Sequence, residues 1–259
     1  MDKLITGFRM KYGVLFFILL NCAFVSANPL VDLIEHTKKS VVVVGTYMPK
    51  RAPKGLFLGT GFVITNGRLI VTNAHVLPKA LNTKNLETLA VFYRKNSQIK
   101  MAHVEVVALD NKHDIAVLKL LSDKLPALSL GQEKVREGQL VAFTGYPIGM
   151  VLGLYPVTHR GMVSAISPVI IPMLKSRMLN AKLLSKLREP YDVYQLDATA
   201  YPGNSGSPVY NTETGRVIGI INKVFIKESK ETLLSKPSGI TYAIPIKYLN
   251  DLLKKNDLI

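Results

Sequence analysis

The chain has 259 residues, 48 % of them apolar, with 33 Lys and Arg against 18 Asp and Glu, a formal charge of +15. That length is enough to bury a sizeable core without covalent staples. The single cysteine, Cys22, excludes a disulfide framework. The basic residues are scattered through loops with no nucleic-acid motif or basic stripe interleaved with aromatics, so nucleic-acid binding is not expected as a main function.

Residues 1–27 read as a secretory signal: Lys3, Arg9 and Lys11 form a basic start, Val14 to Val25 an apolar run, and Val25-Ser26-Ala27 a small-residue cleavage site. An uncleaved anchor is the alternative, although a dozen apolar residues interrupted by Asn21 fall short of the roughly 20 a span needs. Cleavage after Ala27 removes Cys22, leaving 232 residues without a thiol and, with Asp2 and the three basic residues gone, a charge of +13. Such a chain points to export to a bacterial periplasm or medium.

Short apolar or alternating runs separated by Gly, Pro and Asn turns then follow, the signature of an all-β fold. Candidate strands are Ser40 to Thr46, Leu56 to Thr65, Leu69 to Val71, Leu89 to Arg94, Val104 to Leu109, Ile115 to Leu120, Gln139 to Gly145, Gly161 to Ile166, Pro208 to Tyr210, Val217 to Asn222 and Thr241 to Ile244. Ile246 to Leu258 is an amphipathic helix candidate.

Three strand ends carry chemistry. His75 follows Leu69-Ile70-Val71, Asp114 directly precedes Ile115 to Leu120, and Ser205 lies in Gly203-Asn204-Ser205-Gly206-Ser207-Pro208. Each has an ordinary structural reading, since Gly-x-Ser-Gly is commonly a plain turn and a lone histidine or aspartate a core or capping residue. Together they match what acyl transfer requires. A serine hydroxyl needs an imidazole to take its proton, and the imidazole needs a carboxylate to hold the useful tautomer. The tetrahedral intermediate needs two converging N–H groups, for which Gly203 and Ser205 are the candidates, each such donor being worth about 3 kcal/mol of barrier. His36, His103, His113 and His159 lack the paired spacing of metal ligands, so no metal or cofactor is expected, and His113 reads as a partly exposed loop residue.

In these stretches the chain resembles trypsin-like serine proteases of the HtrA/DegP (Do-like) type, over the protease domain only. The matching segments are Gly59 to Leu77, His113 to Leu120, Gly138 to Gly149, Val157 to Ile166, Gln195 to Val209, Arg216 to Asn222 and Ile240 to Leu249. The resemblance implies two Greek-key six-stranded β-barrels of the chymotrypsin/trypsin-like fold with a short C-terminal helix, residues 28–259 forming one protease domain. The first barrel is expected over about 38–122 and the second over about 136–246, with His75 and Asp114 on the first and Ser205 on the second. It implies a serine endopeptidase acting on protein or peptide substrates, and homotrimers are common in that family. Relatives usually continue into PDZ domains, whereas here the chain ends at Ile259.

Departures from the family pattern bear on specificity. Ser207 stands where HtrA proteins usually carry glycine and resembles the GNSGSP of glutamyl endopeptidases, but Ile221-Asn222-Lys223 lacks the histidine those enzymes place there. Asn204 replaces the aspartate used in trypsin-type zymogen activation, and Thr199 the acidic pocket residue of trypsins. By matching to HtrA proteins, Ala200 and Val224 line the primary pocket, which implies a loose preference for aliphatic residues. The basic segment 171–190 carries Leu174, Met178, Ala181 and Leu184 at helical spacing where HtrA proteins have a variable regulatory loop. It could rest on an anionic membrane, cover the cleft, or pack on the second barrel. The rivals to an enzyme are a catalytically silent binding or chaperone-like protein of the envelope and a basic membrane-surface binder.

Overall fold

The computed structural model describes residues 29–122, 124–147, 153–169, 190–222 and 239–259. The leader 1–27, Val224 and all of 171–190 except Pro190 lie outside them.

A helix absent from the sequence reading, α1 (Pro29–Ser40), leads the described chain, with Asp32 in its first turn and Lys38 and Lys39 in its last, the charge order its dipole favours. Its Leu33 sits directly over Gly215, where a side chain would collide with it. Six strands follow: β1 (Val41–Tyr47), β2 (Gly55–Ile64), β3 (Leu69–Thr72), β4 (Thr88–Lys95), β5 (Gln98–Asp110) and β6 (Ile115–Leu120). Six more form β7 (Leu140–Gly145), β8 (Val157–Pro168), β9 (Asp192–Asp197), β10 (Pro208–Asn211), β11 (Val217–Asn222) and β12 (Ile240–Pro245), and α2 (Ile246–Lys255) ends the chain.

The strands close into two antiparallel barrels, ordered β1-β2-β3-β6-β5-β4 and β7-β8-β9-β12-β11-β10. The orders are the same, so the third strand of each barrel is followed by a connection that crosses the barrel end to reach the fourth. Closure removes the free edges that short strands would otherwise expose.

Successive side chains on a strand point to opposite faces, and here both faces are buried. In β1, Val42 and Val44 fill the first barrel with Val63, Ile70, Val91, Leu118 and Leu120. Val41 and Val43 face the other way, into a core that joins Phe62, Val71 and Val117 to Val217, Ile220, Ile244 and α2 residues Leu249 and Leu253. This shared core makes the two barrels and α2 one packed unit. A third cluster, including Phe143, Val163, Leu196 and Ile218, fills the second barrel.

Strands β5 and β8 begin earlier than their apolar runs, because pairing to β4 (Lys95 with Gln98) and β7 (Gly145 with Val157) continues where side chains are polar. The strand candidates omit β9, whose mixed sequence Asp192-Val193-Tyr194-Gln195-Leu196-Asp197 offers no apolar run.

Candidate active site

The meeting of His75 and Asp114 follows from strand pairing. Thr72 of β3 pairs with Ala116 of β6, so the residues leaving β3 and those entering β6 lie at the same end of the barrel. His75 sits in a single 3₁₀ turn, Ala74–Val76, immediately after β3. Asp114 adopts a left-handed φ of 58° before β6. Its carbonyl accepts from Ala74 N–H at 3.2 Å and from Asn73 Nδ2 at 3.1 Å. Its Oδ1 accepts the His75 N–H at 2.8 Å, and Oδ2 lies 2.6 Å from His75 Nδ1. Carboxylate and carbonyl together thus fix residues 73–75, leaving Nε2 of the imidazole as the ring nitrogen not held by Asp114.

Ser205 lies on the connection that crosses the second barrel from β9 to β10, the counterpart of the one that carries His75. Gly203 and Gly206 have φ of 102° and 87°, conformations that side chains resist. The turn is closed by Ser207 N–H to Asn204 O at 3.0 Å and fastened to β11 by Gly206 N–H to Ile221 O at 2.9 Å. It touches the first barrel too. Thr60 N–H donates to Ser205 O at 2.9 Å, and a side chain on Gly59 would run into both Val76 and Ser205 O. Val76 is the residue after His75, so Gly59 is the point at which the two connections approach.

Among the described residues, the N–H groups of Gly203 and Ser205 donate to no protein acceptor, while those of Asn204, Gly206 and Ser207 do. Nor do the hydrogen bonds of the described residues include one from Ser205 Oγ to His75 Nε2; such bonds are commonly long before substrate binds. Ser205 is buried and the His75 side chain is 43 % exposed, so the imidazole faces the solvent side of the pair.

Ala200 is partly buried against the second barrel core, its N–H bonded to Thr241 Oγ1 at 3.0 Å. Next to it, the Tyr201 ring lies 6.0 Å from His159, which stacks on Phe143 at 4.9 Å. His159 Nε2 is buried without a partner among the described residues, and burial holds this imidazole below its ordinary pKa.

His113 lies, as expected, in a turn and is partly exposed. Its side chain is 16 % exposed, paired with Asp110 and stacked on Tyr248 of α2 at 4.0 Å, with Tyr191 edge-on at 4.8 Å. Burial and the negative charge of Asp114, followed by Tyr248 and Asp110, push the Tyr191 hydroxyl up to about 12, so it stays protonated near neutrality. Sequence reasoning also missed Thr60 and Tyr146; the one signal available was Thr60's place between Gly59 and Gly61, two positions where any side chain would collide. Among the described residues no three His, Cys, Asp or Glu side chains come together as a metal site requires.

A family model described as a trypsin-like peptidase domain matches residues 59–220. The chain belongs to this family. It is 34 % identical over 200 residues to a probable periplasmic serine endoprotease, DegP-like, of Halomonas elongata, covering 75 % of this chain and 34 % of that one. A protein of the same description from Hahella chejuensis is 31 % identical over 199 residues, covering 76 % and 35 %. The chain thus spans about a third of the length of these curated relatives. The crystal structure of a Mycobacterium tuberculosis protease in its active form superposes with a TM-score of 0.62 at 24 % identity, covering 88 % of this chain and 84 % of that one, a likeness of fold. As a trypsin-like peptidase domain, the molecule has its serine turn and its His–Asp pair on separate barrels.

Proposed function

We propose that the protein is an exported serine endopeptidase that hydrolyses peptide bonds in protein substrates through Ser205, His75 and Asp114. The observation that carries the reading is the bidentate hold of Asp114 on His75, through the backbone N–H at 2.8 Å and Nδ1 at 2.6 Å. It leaves Nε2 free to act as a base.

Ser205 Oγ attacks the substrate carbonyl while its proton passes to His75 Nε2. The new alkoxide oxygen takes the N–H groups of Gly203 and Ser205, whose lack of a protein acceptor among the described residues supports this role. Collapse breaks the C–N bond, and the imidazolium returns its proton to the leaving amine. Water then enters with His75 as base, and release of the acid restores Ser205. Asn204 carries no charge to pair with a new amino terminus, so the turn does not depend on that ion pair.

Ala200 and Val224 are proposed to line a small apolar pocket with a loose preference for aliphatic residues. Export to the periplasm is proposed from the leader composition and is in keeping with the descriptions of the DegP-like relatives. Purified protein should take up a fluorophosphonate at Ser205 and cleave casein, and Ser205→Ala should do neither while melting normally. Casein cleavage that survives in Ser205→Ala would overturn the assignment.

A further inference from the structure

Behind the serine turn, between the barrels, lies a knot of buried polar groups that the triad does not use. Thr60 of β2 is fully buried, and all its polar atoms are engaged there. Its N–H donates to Ser205 O at 2.9 Å, and its hydroxyl donates to Gly203 O at 2.7 Å. The hydroxyl oxygen accepts the Tyr146 N–H at 3.0 Å, and the Thr60 carbonyl accepts the Thr72 hydroxyl at 2.7 Å.

The Ser205 N–H belongs to the planar peptide unit joining residues 204 and 205. The units on either side carry Gly203 O and Ser205 O, and Thr60 holds both. With both neighbours pinned, the unit can turn only by a counter-rotation of ψ at Asn204 and φ at Ser205, and that rotation would break the bond its own carbonyl, Asn204 O, accepts from the Ser207 N–H at 3.0 Å. The same hold on Gly203 O restricts the glycine whose own N–H is the second donor. Among the described residues, the Thr60 hydroxyl is the only side-chain group that donates to the backbone of this turn. Asn204 and Ser207, the buried side chains beside it, have polar atoms without partners among the described residues and make no such bond. The space is also reserved for this contact, since a side chain on Gly145 would collide with Ser207 Oγ, Asn204 Oδ1 and Thr60 Oγ1.

We propose that Thr60 is a positioning residue whose hydroxyl aims the Gly203 and Ser205 N–H groups at the developing oxyanion. The inference rests on the reading of Ser205 as nucleophile, and the two can fail separately.

The test measures the rate of fluorophosphonate labelling at Ser205 and the kcat and KM for casein in wild type, Thr60→Val, Thr60→Ser and Thr60→Ala. Loss of a whole oxyanion donor costs about 10²–10³ in kcat, so a donor left in place but misaimed is expected to cost about tenfold or more. Thr60→Val and Thr60→Ala should label and turn over at least about tenfold more slowly with KM nearly unchanged, and Thr60→Ser should return close to wild type. A merely structural role would lower the melting temperature without this kcat-specific rescue by a hydroxyl. If Thr60→Val does not fold, the Ser and Ala variants, which differ by that one oxygen, decide. Equal rates for those two, or a folded Thr60→Val at wild-type rate, would overturn the inference while leaving the nucleophile assignment intact. Wild-type protein that neither labels nor cleaves casein would overturn the functional reading and the inference with it.

Discussion

Asp114→Asn isolates the hydrogen-bond logic of the His–Asp pair, because the backbone has no reason to resist it. Asp114 sits at a φ of 58°, and asparagine tolerates that left-handed region as well as aspartate does. The amide fills the same space but cannot accept on both sides. Its oxygen must face the His75 N–H now held by Oδ1 at 2.8 Å, since an NH₂ there would set donor against donor. The NH₂ then replaces Oδ2, 2.6 Å from Nδ1. Nδ1 is forced to accept, the ring proton moves to Nε2, and the proposed base can no longer take the Ser205 proton. The expected loss in kcat is about 10⁴, or about 5.5 kcal/mol of barrier, with the melting temperature nearly unchanged. Casein hydrolysis followed beside a circular-dichroism melt reads both. A folded Asp114→Asn protein retaining more than about a tenth of wild-type kcat would refute the tautomer argument.

Gly206→Ala should inactivate the turn and lower stability. Its φ of 87° is strained for any side chain, and the new methyl would overlap Thr60 O and come within 2.6 Å of Thr72 Oγ1, so the cost should reach about 3 kcal/mol, read as a lowered denaturation midpoint in urea. His159→Phe should change how stability depends on pH. Burial lowers the folded pKa of His159, so below about pH 6.5 the unfolded chain binds a proton that the folded chain refuses, and stability falls as pH drops. Phenylalanine keeps the stacking on Phe143 without the titration, so the loss of melting temperature from pH 7 to pH 5 should shrink; an unchanged pH profile would mean that His159 is not the group responsible.

Much of the barrel framework can be read directly, because both faces of its strands are buried. Val41 to Val44 read as an unbroken apolar run since alternate valines enter different cores. The helix α1 went unread although Leu30, Leu33 and Ile34 fall at helical spacing, because the stretch is short and otherwise polar, and its fit against Gly215 is a tertiary contact. The placement of His75, Asp114 and Ser205 at strand ends was legible, since turn residues there interrupt apolar runs. The role of Thr60 was not. A threonine between two glycines looks like any turn-flanking strand residue, and its partners Gly203, Ser205 and Tyr146 come from the other barrel. His113 was legible as a partly exposed loop residue but its packing was not, because Tyr191 and Tyr248 reach it from the far part of the chain.

The joint between the barrels is where these links converge. The β3 to β4 and β9 to β10 connections occupy the same place in two barrels of the same strand order, one carrying His75 and the other Ser205. Neither barrel alone holds all three groups, so the proposed chemistry depends on how the barrels are set against each other. One side of that setting is the stack of His113, the neighbour of Asp114, on Tyr248 of α2. The other is Thr60, which reaches from β2 to the serine turn. Each contact is modest, about 1 kcal/mol for a hydrogen bond or a ring pair. Both sit above a core shared by the two barrels, whose burial supplies the larger part of the association, so the polar links serve mainly to set the register of the proposed base and nucleophile.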